Sequence, residues 1–465
     1  MVRLAVVGAG LSGLACANRF LELAAERRLS ADVVVFEAER RAGGVVRTER
    51  VGSFLLEAGP DSFLSEKPWA RDLATRLGLE GEILGTREEE RRTFVLSSGR
   101  LHPLPEGFVL LAPTRPGPVL RSSLFSWRGK LRLGLELLLP RGSEARDESV
   151  ADFVLRRFGR EALERVADPL VAGIYGTDAE RLSLRATLPR FFELERKYRS
   201  VTLGILRERK RIAGVGPGAS GARWSLFLSF REGMRTLVDA LVARMPEGAL
   251  HLGERVLSAT PSGSRWRLET DQGTVVETDG VVLAVPAFAA ARILEPVDAT
   301  LARELAGVPY GGVATVHLAL PEGEIGAELS GFGFVVARSD RKRVAACSYV
   351  HRKYPGRAPE GYALLRAFVC GSELPEEDRL VGEVRDELAR ILRIRSEPTL
   401  ARAFRHPRAL PHYPPGYPAT LERIQRSVRR HRGLALAGNA YGGVGVPDCI
   451  RSGETAAERV LSDLS

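Results

Sequence analysis

The chain has 465 residues and 44% hydrophobic content, enough for a large core and two or three domains. Lys+Arg outnumber Asp+Glu by 68 to 58, a net charge of +10 carried almost wholly by arginine; with no zinc-type spacing, no nucleic-acid motif and no basic patch interleaved with aromatics, a metal site and a nucleic-acid partner are excluded and most arginines read as a solvated surface. The four cysteines, Cys16, Cys347, Cys370 and Cys449, are scattered without a C-x-x-C, so a redox dithiol is excluded and a reducing, cytoplasmic compartment is expected.

Residues 2–7 form a short Val-rich apolar run, the pattern of a buried strand. Gly8, Gly10 and Gly13 follow at G-x-G-x-x-G spacing. Gly8 allows the tight turn, Gly10 lets a pyrophosphate approach the backbone, and Gly13 lets the next helix pack on the strand. That helix is expected to begin near Leu11 or Ser12, with its free N–H groups facing the phosphates. Residues 31–36 read as a second strand ending in Glu37, whose carboxylate can accept hydrogen bonds from a ribose diol and would repel a 2′-phosphate. A chain that opens on a fold strand carries no expected signal peptide. No apolar run reaches roughly 18 residues, so no membrane-spanning helix is expected.

After Glu37 the chain reads AERRAGGVVRT, with Arg41, Gly43 and Gly44. Residues 85–210 read as mainly helical. Within them FVLLAPTRPGPVLRSSLFSWRGKLRLGLELLLP (108–140) is rich in Leu, Phe, Trp and Arg, which fits either an interfacial membrane surface or a core-facing pair of helices. RKRIAGVGPGASGARWS (209–225) reads as a long loop. Its glycines follow no apolar strand and precede no suitably spaced acid, so no separate NAD(P)H domain is expected. A strand-and-helix unit begins at 227–245, and residues 251–285 alternate in β fashion between turn residues. DGVVLAVPA (279–287) reads as a strand returning to the first sheet, and residues 295–425 as a substrate layer of mixed strands and helices. GLALAGNAYGGVGVPDCIRSGETAAERVL (433–461) reads as a strand, a glycine-rich turn and a helix starting near Pro447 or Asp448, its N-terminus facing a flavin ring or pyrophosphate.

The E-x-x-x-R-x-G-G run from Glu37 to Gly44 resembles the extended dinucleotide motif of FAD-binding oxidoreductases. DPLVAGIYGTDAERLSLRATLPRFFELERKYRSVTLG (168–204) resembles the signature of protoporphyrinogen oxidases, flavoenzymes of haem biosynthesis within the amine-oxidase-like superfamily. The likeness runs along the whole chain through EAGPDSF (57–63), GFGFVV (331–336), AFVCGS (367–372), LPHY (410–413) and the GNAYGGVGVPDCI tail. It implies an α/β fold: a Rossmann-like FAD-binding domain assembled from separated segments (1–84, 225–292 and 429–465), a mainly helical domain at 85–210 that carries the candidate membrane-facing surface, and a mixed α+β substrate-binding domain at 293–428. The resemblance further implies non-covalent FAD along Gly8, Gly10, Leu11, Ser12, Gly13, Glu37, Arg41, Gly43, Gly44, Gly59 and Val256, closed by Gly438, Asn439, Gly443, Val444, Gly445 and Val446.

The implied reaction removes six electrons from a porphyrinogen in three two-electron steps, with molecular oxygen reoxidising the flavin to give hydrogen peroxide. The cofactor carries the chemistry, while the protein holds an apolar macrocycle and binds its carboxylates at the rim. No residue is therefore assigned as a catalytic acid or base, and no metal is expected. By motif, Gly173 matches a glycine beside the reacting edge, Phe368 an aromatic that stacks on the substrate, and Val335 and Cys347 apolar residues that sandwich it. Some relatives carry arginine where Asp61 stands, which makes Asp61 a poor propionate anchor; Arg92 and Arg100 are the substitute candidates. Many relatives carry tryptophan where His406 stands, and this histidine reads equally as a pocket wall or a surface residue. Tyr175 and His412 receive no catalytic role. The apolar set with an acid at Asp61 favours protoporphyrinogen IX, with two propionates, over coproporphyrinogen III, with four. An amine oxidase, a carotenoid desaturase and a non-catalytic FAD-binding protein stay open as alternatives, although the tail lacks an obvious pair of cage aromatics. A homodimer and peripheral membrane contact stay open as well.

Overall fold

The computed structural model describes residues 1–143, 146–213, 226–327, 329–371 and 373–464. Its first sheet is wholly parallel, in the order Leu250–Leu252, Ala31–Glu37, Val2–Val7, Gly280–Leu283, Leu434–Leu436. Strands covered on both faces need no polar alternation, which is why they read as continuous Val-rich runs. The helices Leu11–Glu26 and Val446–Leu464 cross on one side of this sheet so closely that a Cβ on Gly453 would collide with the Ser12 carbonyl. The sheet thus draws on the beginning, middle and end of the chain, as expected. Between its third and fourth segments in sequence lies an antiparallel meander, Val256–Ser262, Arg265–Thr270 and Val275–Thr278. Its middle strand buries Trp266, Leu268 and Thr270 and exposes Arg267 and Glu269.

The second sheet has seven strands, in the order Leu400–Pro411, Tyr310–Pro321, Tyr362–Gly371, Val344–Tyr349, Gly333–Val336, Phe94–Ser97, Arg100–Pro103. The last two come from the stretch read as mainly helical: Phe94–Ser97 pairs in parallel with Gly333–Val336 and turns back into Arg100–Pro103. One face of this broad sheet is covered by the helix Glu377–Leu392, which buries Leu380, Val384, Leu388 and Leu392 against Phe334, Cys347 and Ala367. The other face carries Val335 and Ala346, which join the same apolar cluster as Val7 and Leu283 of the first sheet.

Helices Val150–Arg157, Asp168–Tyr175, Pro189–Tyr198 and Val201–Ala213 build the helical part. A wholly buried pair, Arg157 with Glu136, ties it together; the second Glu136 oxygen accepts from Ser200 Oγ at 2.6 Å, so neither charge is left alone. Residues 209–213, expected to open a loop, finish the helix Val201–Ala213. The rest of that expected loop, 214–225, lies outside the described residues. No helix among the described residues is long and apolar enough to cross a membrane.

Candidate functional site

The glycine turn is shaped by backbone contact. Gly8 has φ +103°, and a Cβ there would lie 2.6 Å from the Ala284 carbonyl oxygen; one on Gly13 would collide with the carbonyl of Gly8 itself. Gly10 differs: a Cβ on it meets nothing within 4 Å. The turn therefore keeps open space at the one glycine assigned to ligand approach. The helix begins at Leu11, capped by Gly10, so its unpaired N–H groups face that space. At the end of the second strand Glu37 accepts from the Ala9 N–H at 2.8 Å and the Glu39 N–H at 2.9 Å, which draws its carboxylate to the turn. The Arg41–Gly44 run folds back onto the same place. The Gly43 N–H donates to Ala9 O at 2.8 Å, a Cβ on Gly44 would lie 3.3 Å from Gly10 Cα, and Arg41 donates to Gly44 O at 2.6 Å. Glu254 and Gly253 donate to the carbonyls of Glu37 and Glu39, bringing the strand that starts at Val256 to this end.

The closing turn packs from the other side. Gly438 N–H donates to Ser452 Oγ at 3.0 Å, and Asn439 donates through Nδ2 to Ala409 O at 2.9 Å. Gly443 has φ +131° and would press a Cβ within 2.7 Å of the Asp448 carboxyl, while Asp448 is paired with Lys67 at 2.6 Å. The helix starts at Val446, just before the expected residue, with Val444 and Gly445 leading into it. The Gly8–Gly13 turn, Glu37 and the Arg41–Gly44 run thus surround one open space at Gly10, which fits a dinucleotide. Gly453 and Ser452 were missed; the only sequence signal was a Ser-Gly pair inside a helix.

EAGPDSF crosses the inner face of the broad sheet, and four side chains of that sheet hold its carbonyls. His317 binds Glu57 O at 3.1 Å, Thr315 and His406 bind Ala58 O at 3.1 and 3.0 Å, and Arg366 donates to Gly59 O. His406 is thus an internal tether rather than a surface residue. Burial, with help from the Arg366 charge, pushes His317 down to about 3, so it is neutral here. Asp61 follows, and its carboxylate is not unpaired: Lys353 Nζ lies 2.9 Å away, Arg366 at 3.6 Å, and Ser62 Oγ donates at 2.8 Å. Although burial raises it, these two cations hold Asp61 well below the usual carboxylate range. Glu57, in contrast, is lifted by burial to about 7, against the pull of the Met234 N–H at 2.8 Å and the Arg357 charge. Nothing local in the sequence marks the strand residues His317 and Arg366 as tethers, or Lys353, at the end of the short helix Val350–Lys353, as the partner of Asp61.

The register of the broad sheet sorts the expected substrate contacts. Val335 pairs with Ala346, and Ala346 with Phe368, so these three share the inner face; Ser348, paired with Gly333 and Arg366, lies there too. Cys347 pairs with Phe334 and Ala367 on the opposite face, buried beneath the Glu377–Leu392 helix. Cys347 is therefore corrected from a sandwiching wall to core packing, because strand side chains alternate and it is one residue out of phase; its neighbours Ala346 and Ser348 are the ones on the inner face. Gly173 is exposed within the helix Asp168–Tyr175, and a Cβ there meets nothing within 4 Å; the left-handed C-cap is Gly176, at φ +67°. This helix lies along the inner face, with Cys370 Sγ 3.7 Å from Ala172 O. Tyr175 is buried and donates to Thr187 O at 2.9 Å, a structural bond. Arg92 and Arg100 are exposed at the outer, hairpin edge of the broad sheet. Tyr413 and Tyr417 stack with centroids 4.7 Å apart, but both rings are buried and their hydroxyls donate to Asn439 O and Ala440 O. They brace the closing turn and do not form an open cage.

The family described as flavin containing amine oxidoreductase matches residues 11–461. The coproporphyrinogen III oxidase of Bacillus subtilis (strain 168) is 32% identical over 466 residues, covering 99% of this chain and 98% of that protein. The chloroplastic protoporphyrinogen oxidase 1 of Spinacia oleracea is 32% identical over 485 residues, covering 99% and 84%. A crystal structure from Exiguobacterium sp. 255-15 superposes with a TM-score of 0.83 at 29% identity over 98% of both chains.

Proposed function

The chain belongs to the flavin containing amine oxidoreductase family and has FAD as its cofactor, and from that premise we propose that it oxidises coproporphyrinogen III to coproporphyrin III in haem synthesis, with molecular oxygen as the acceptor and hydrogen peroxide as the reduced product. Bound FAD supplies the two-electron acceptance. The chain's own residues supply a berth: Val335, Ala346 and Phe368 offer an apolar wall, and the bare backbone at Gly173 leaves room for an edge of the puckered macrocycle. One observation removes the objection to this substrate. The sequence argument for protoporphyrinogen IX treated Asp61 as an acid facing the substrate, and the structure gives that acid two cations, Lys353 and Arg366. With the acid neutralised, the argument against additional propionates lapses. The names of the Bacillus, Propionibacterium and Staphylococcus relatives lend support to the same choice.

Protoporphyrinogen IX is the second reading, favoured by the apolar inner face and by the equally similar spinach protein. The buried Tyr413–Tyr417 pair weighs against an amine oxidase. Assay of both porphyrinogens side by side, by porphyrin fluorescence in air, is expected to give the higher kcat/KM for coproporphyrinogen III. A clearly higher value for protoporphyrinogen IX reverses the choice.

We also propose that the helical part rests on an anionic membrane surface. Trp127, Leu131 and Leu138 are 73%, 68% and 72% exposed on one face of the Trp127–Leu135 helix and its extension, while Val119, Leu124, Phe125 and Leu133 of the same stretch pack into the core. Arg115, Arg121, Arg128 and Arg141 are exposed around them, and the one acid in 115–141, Glu136, is buried. Holoenzyme is expected to pellet with phosphatidylglycerol vesicles and not with phosphatidylcholine vesicles, and Leu131→Glu to abolish it. Equal pelleting of the variant contradicts the surface, and a salt-stable dimer lost in Leu131→Glu assigns the face to a second copy instead.

A further inference from the structure

Asp61, Lys353 and Arg366 form a buried cluster that the reaction does not require and the sequence does not announce. The Arg366 side chain is almost fully buried in the strand Tyr362–Gly371. One Nη donates to Gly59 O, the other lies 3.6 Å from Asp61 Oδ2, and Nε has no partner among the described residues. The guanidinium carbon stands 4.4 Å from the centroid of Phe368, two residues along the same strand and on the same face. Asp61 is held in turn by Lys353, whose ammonium also lies 5.2 Å from the Phe227 ring. A single planar cation therefore touches the backbone of the cofactor-side segment, a fixed carboxylate and the aromatic ring of the substrate side.

We propose that Arg366 is a positioning residue for the stacking ring: anchored on Asp61 and Gly59, it covers one face of Phe368, fixes the ring's tilt, and leaves the other face to a planar pyrrole ring of the macrocycle. This rests on the reading of the site as a porphyrinogen site. The physical reason is twofold. A ring clamped on one face loses little rotamer freedom when a ligand arrives on the other. A cation on the near face also draws π-density from the far face, which favours contact with electron-rich pyrrole rings. Lysine cannot do the same, because a point charge cannot reach a carbonyl, a carboxylate and a ring face together.

The test is a double-substitution cycle on the FAD-loaded protein, reading coproporphyrin III affinity by fluorescence quenching alongside the flavin spectrum and melting temperature. Arg366→Lys keeps a charge beside Asp61 and so guards against a misfolded variant. It is expected to weaken binding roughly 2- to 30-fold in the parent chain and by less than about 2-fold once Phe368→Ala is present, with flavin content unchanged. An equal loss with and without the ring overturns the role of Arg366, since a merely structural arginine would act regardless of Phe368. A parent holoenzyme that binds neither coproporphyrin III nor protoporphyrin IX overturns the reading of the site and the inference with it.

Discussion

At the glycine turn the site is made by leaving atoms out; on the inner face of the broad sheet it is made by burying charge. Gly8 and Gly13 permit backbone to touch backbone, and only Gly10 keeps its space free. On the broad sheet, His317, Thr315, Arg366 and His406 reach across to three successive carbonyls, and a carboxylate is enclosed between two cations. The first kind of site depends on local spacing and, at Gly8 and Gly13, tolerates almost no added volume. The second depends on pairing, so its failures arise when one partner is removed.

The sharpest way to break this contrast is at the glycines. Gly13→Val drives a branched side chain into the Gly8 carbonyl and is expected to leave no soluble, yellow protein. A Cβ at Gly10 meets no protein atom within 4 Å, so Gly10→Val is expected to fold with a near-parental melting temperature yet purify colourless. Gly10→Val protein that stays fully yellow removes the dinucleotide from that cradle. The next effect in size belongs to Asp61. Asp61→Leu leaves Lys353 and Arg366 buried without their acid and is expected to cost about 3–5 kcal/mol in denaturant unfolding. A loss under about 1 kcal/mol would show that the cluster is solvated rather than buried.

A smaller effect sharpens the same comparison through pH. Burial holds a proton on Glu57 up to about 7, whereas the unfolded chain releases it near the ordinary value of 4.5. The folded state therefore binds more protons in that window, and the Glu57 contribution to stability falls as pH rises from about 4.5 to 7, then stays level. Asp61 has the opposite sign: its contribution is present above its ordinary value and is lost as pH falls below it. His317, held neutral by burial, also opposes Glu57 in part of the window, so the comparison is made between parent and Glu57→Gln. The stability gained by the variant over the parent is expected to grow by about 1–3 kcal/mol between pH 4.5 and 7; a difference that does not change with pH contradicts the shifted Glu57. Smallest is Phe368→Ala, expected to raise KM about three- to tenfold with FAD content unchanged, while Cys347→Ala leaves KM alone and lowers only stability. A KM shift in the cysteine variant and none in Phe368→Ala would reverse the assignment of sheet faces.

The same contrast explains what was legible in the sequence. The cofactor cradle is written in contiguous motifs, Gly8 to Gly13, Glu37 to Gly44 and Gly438 to Val446, because local backbone geometry demands glycine at fixed offsets. The inner face joins residues from distant strands: Asp61 meets Lys353 and Arg366 only after the sheet has assembled. Motif matching picks Val335 and Phe368, which share the inner face, and also Cys347, which lies on the other one, since a one-residue phase error in a strand swaps faces. The strands Phe94–Ser97 and Arg100–Pro103 were absorbed into a helical stretch because each is four residues long and flanked by charge. The exposure of Trp127 and Leu131 was undecidable from composition, as an apolar helix face reads alike whether it meets a core or a membrane.

The central claim is that this cradle and this face meet in one flavin-dependent porphyrinogen oxidase. Its most direct test is anaerobic mixing of the yellow holoenzyme with a stoichiometric porphyrinogen while the flavin absorbance is followed, then admission of air. The account expects the flavin to bleach without oxygen, porphyrin fluorescence to appear, and the yellow colour to return in air. Flavin that stays oxidised with both coproporphyrinogen III and protoporphyrinogen IX contradicts it.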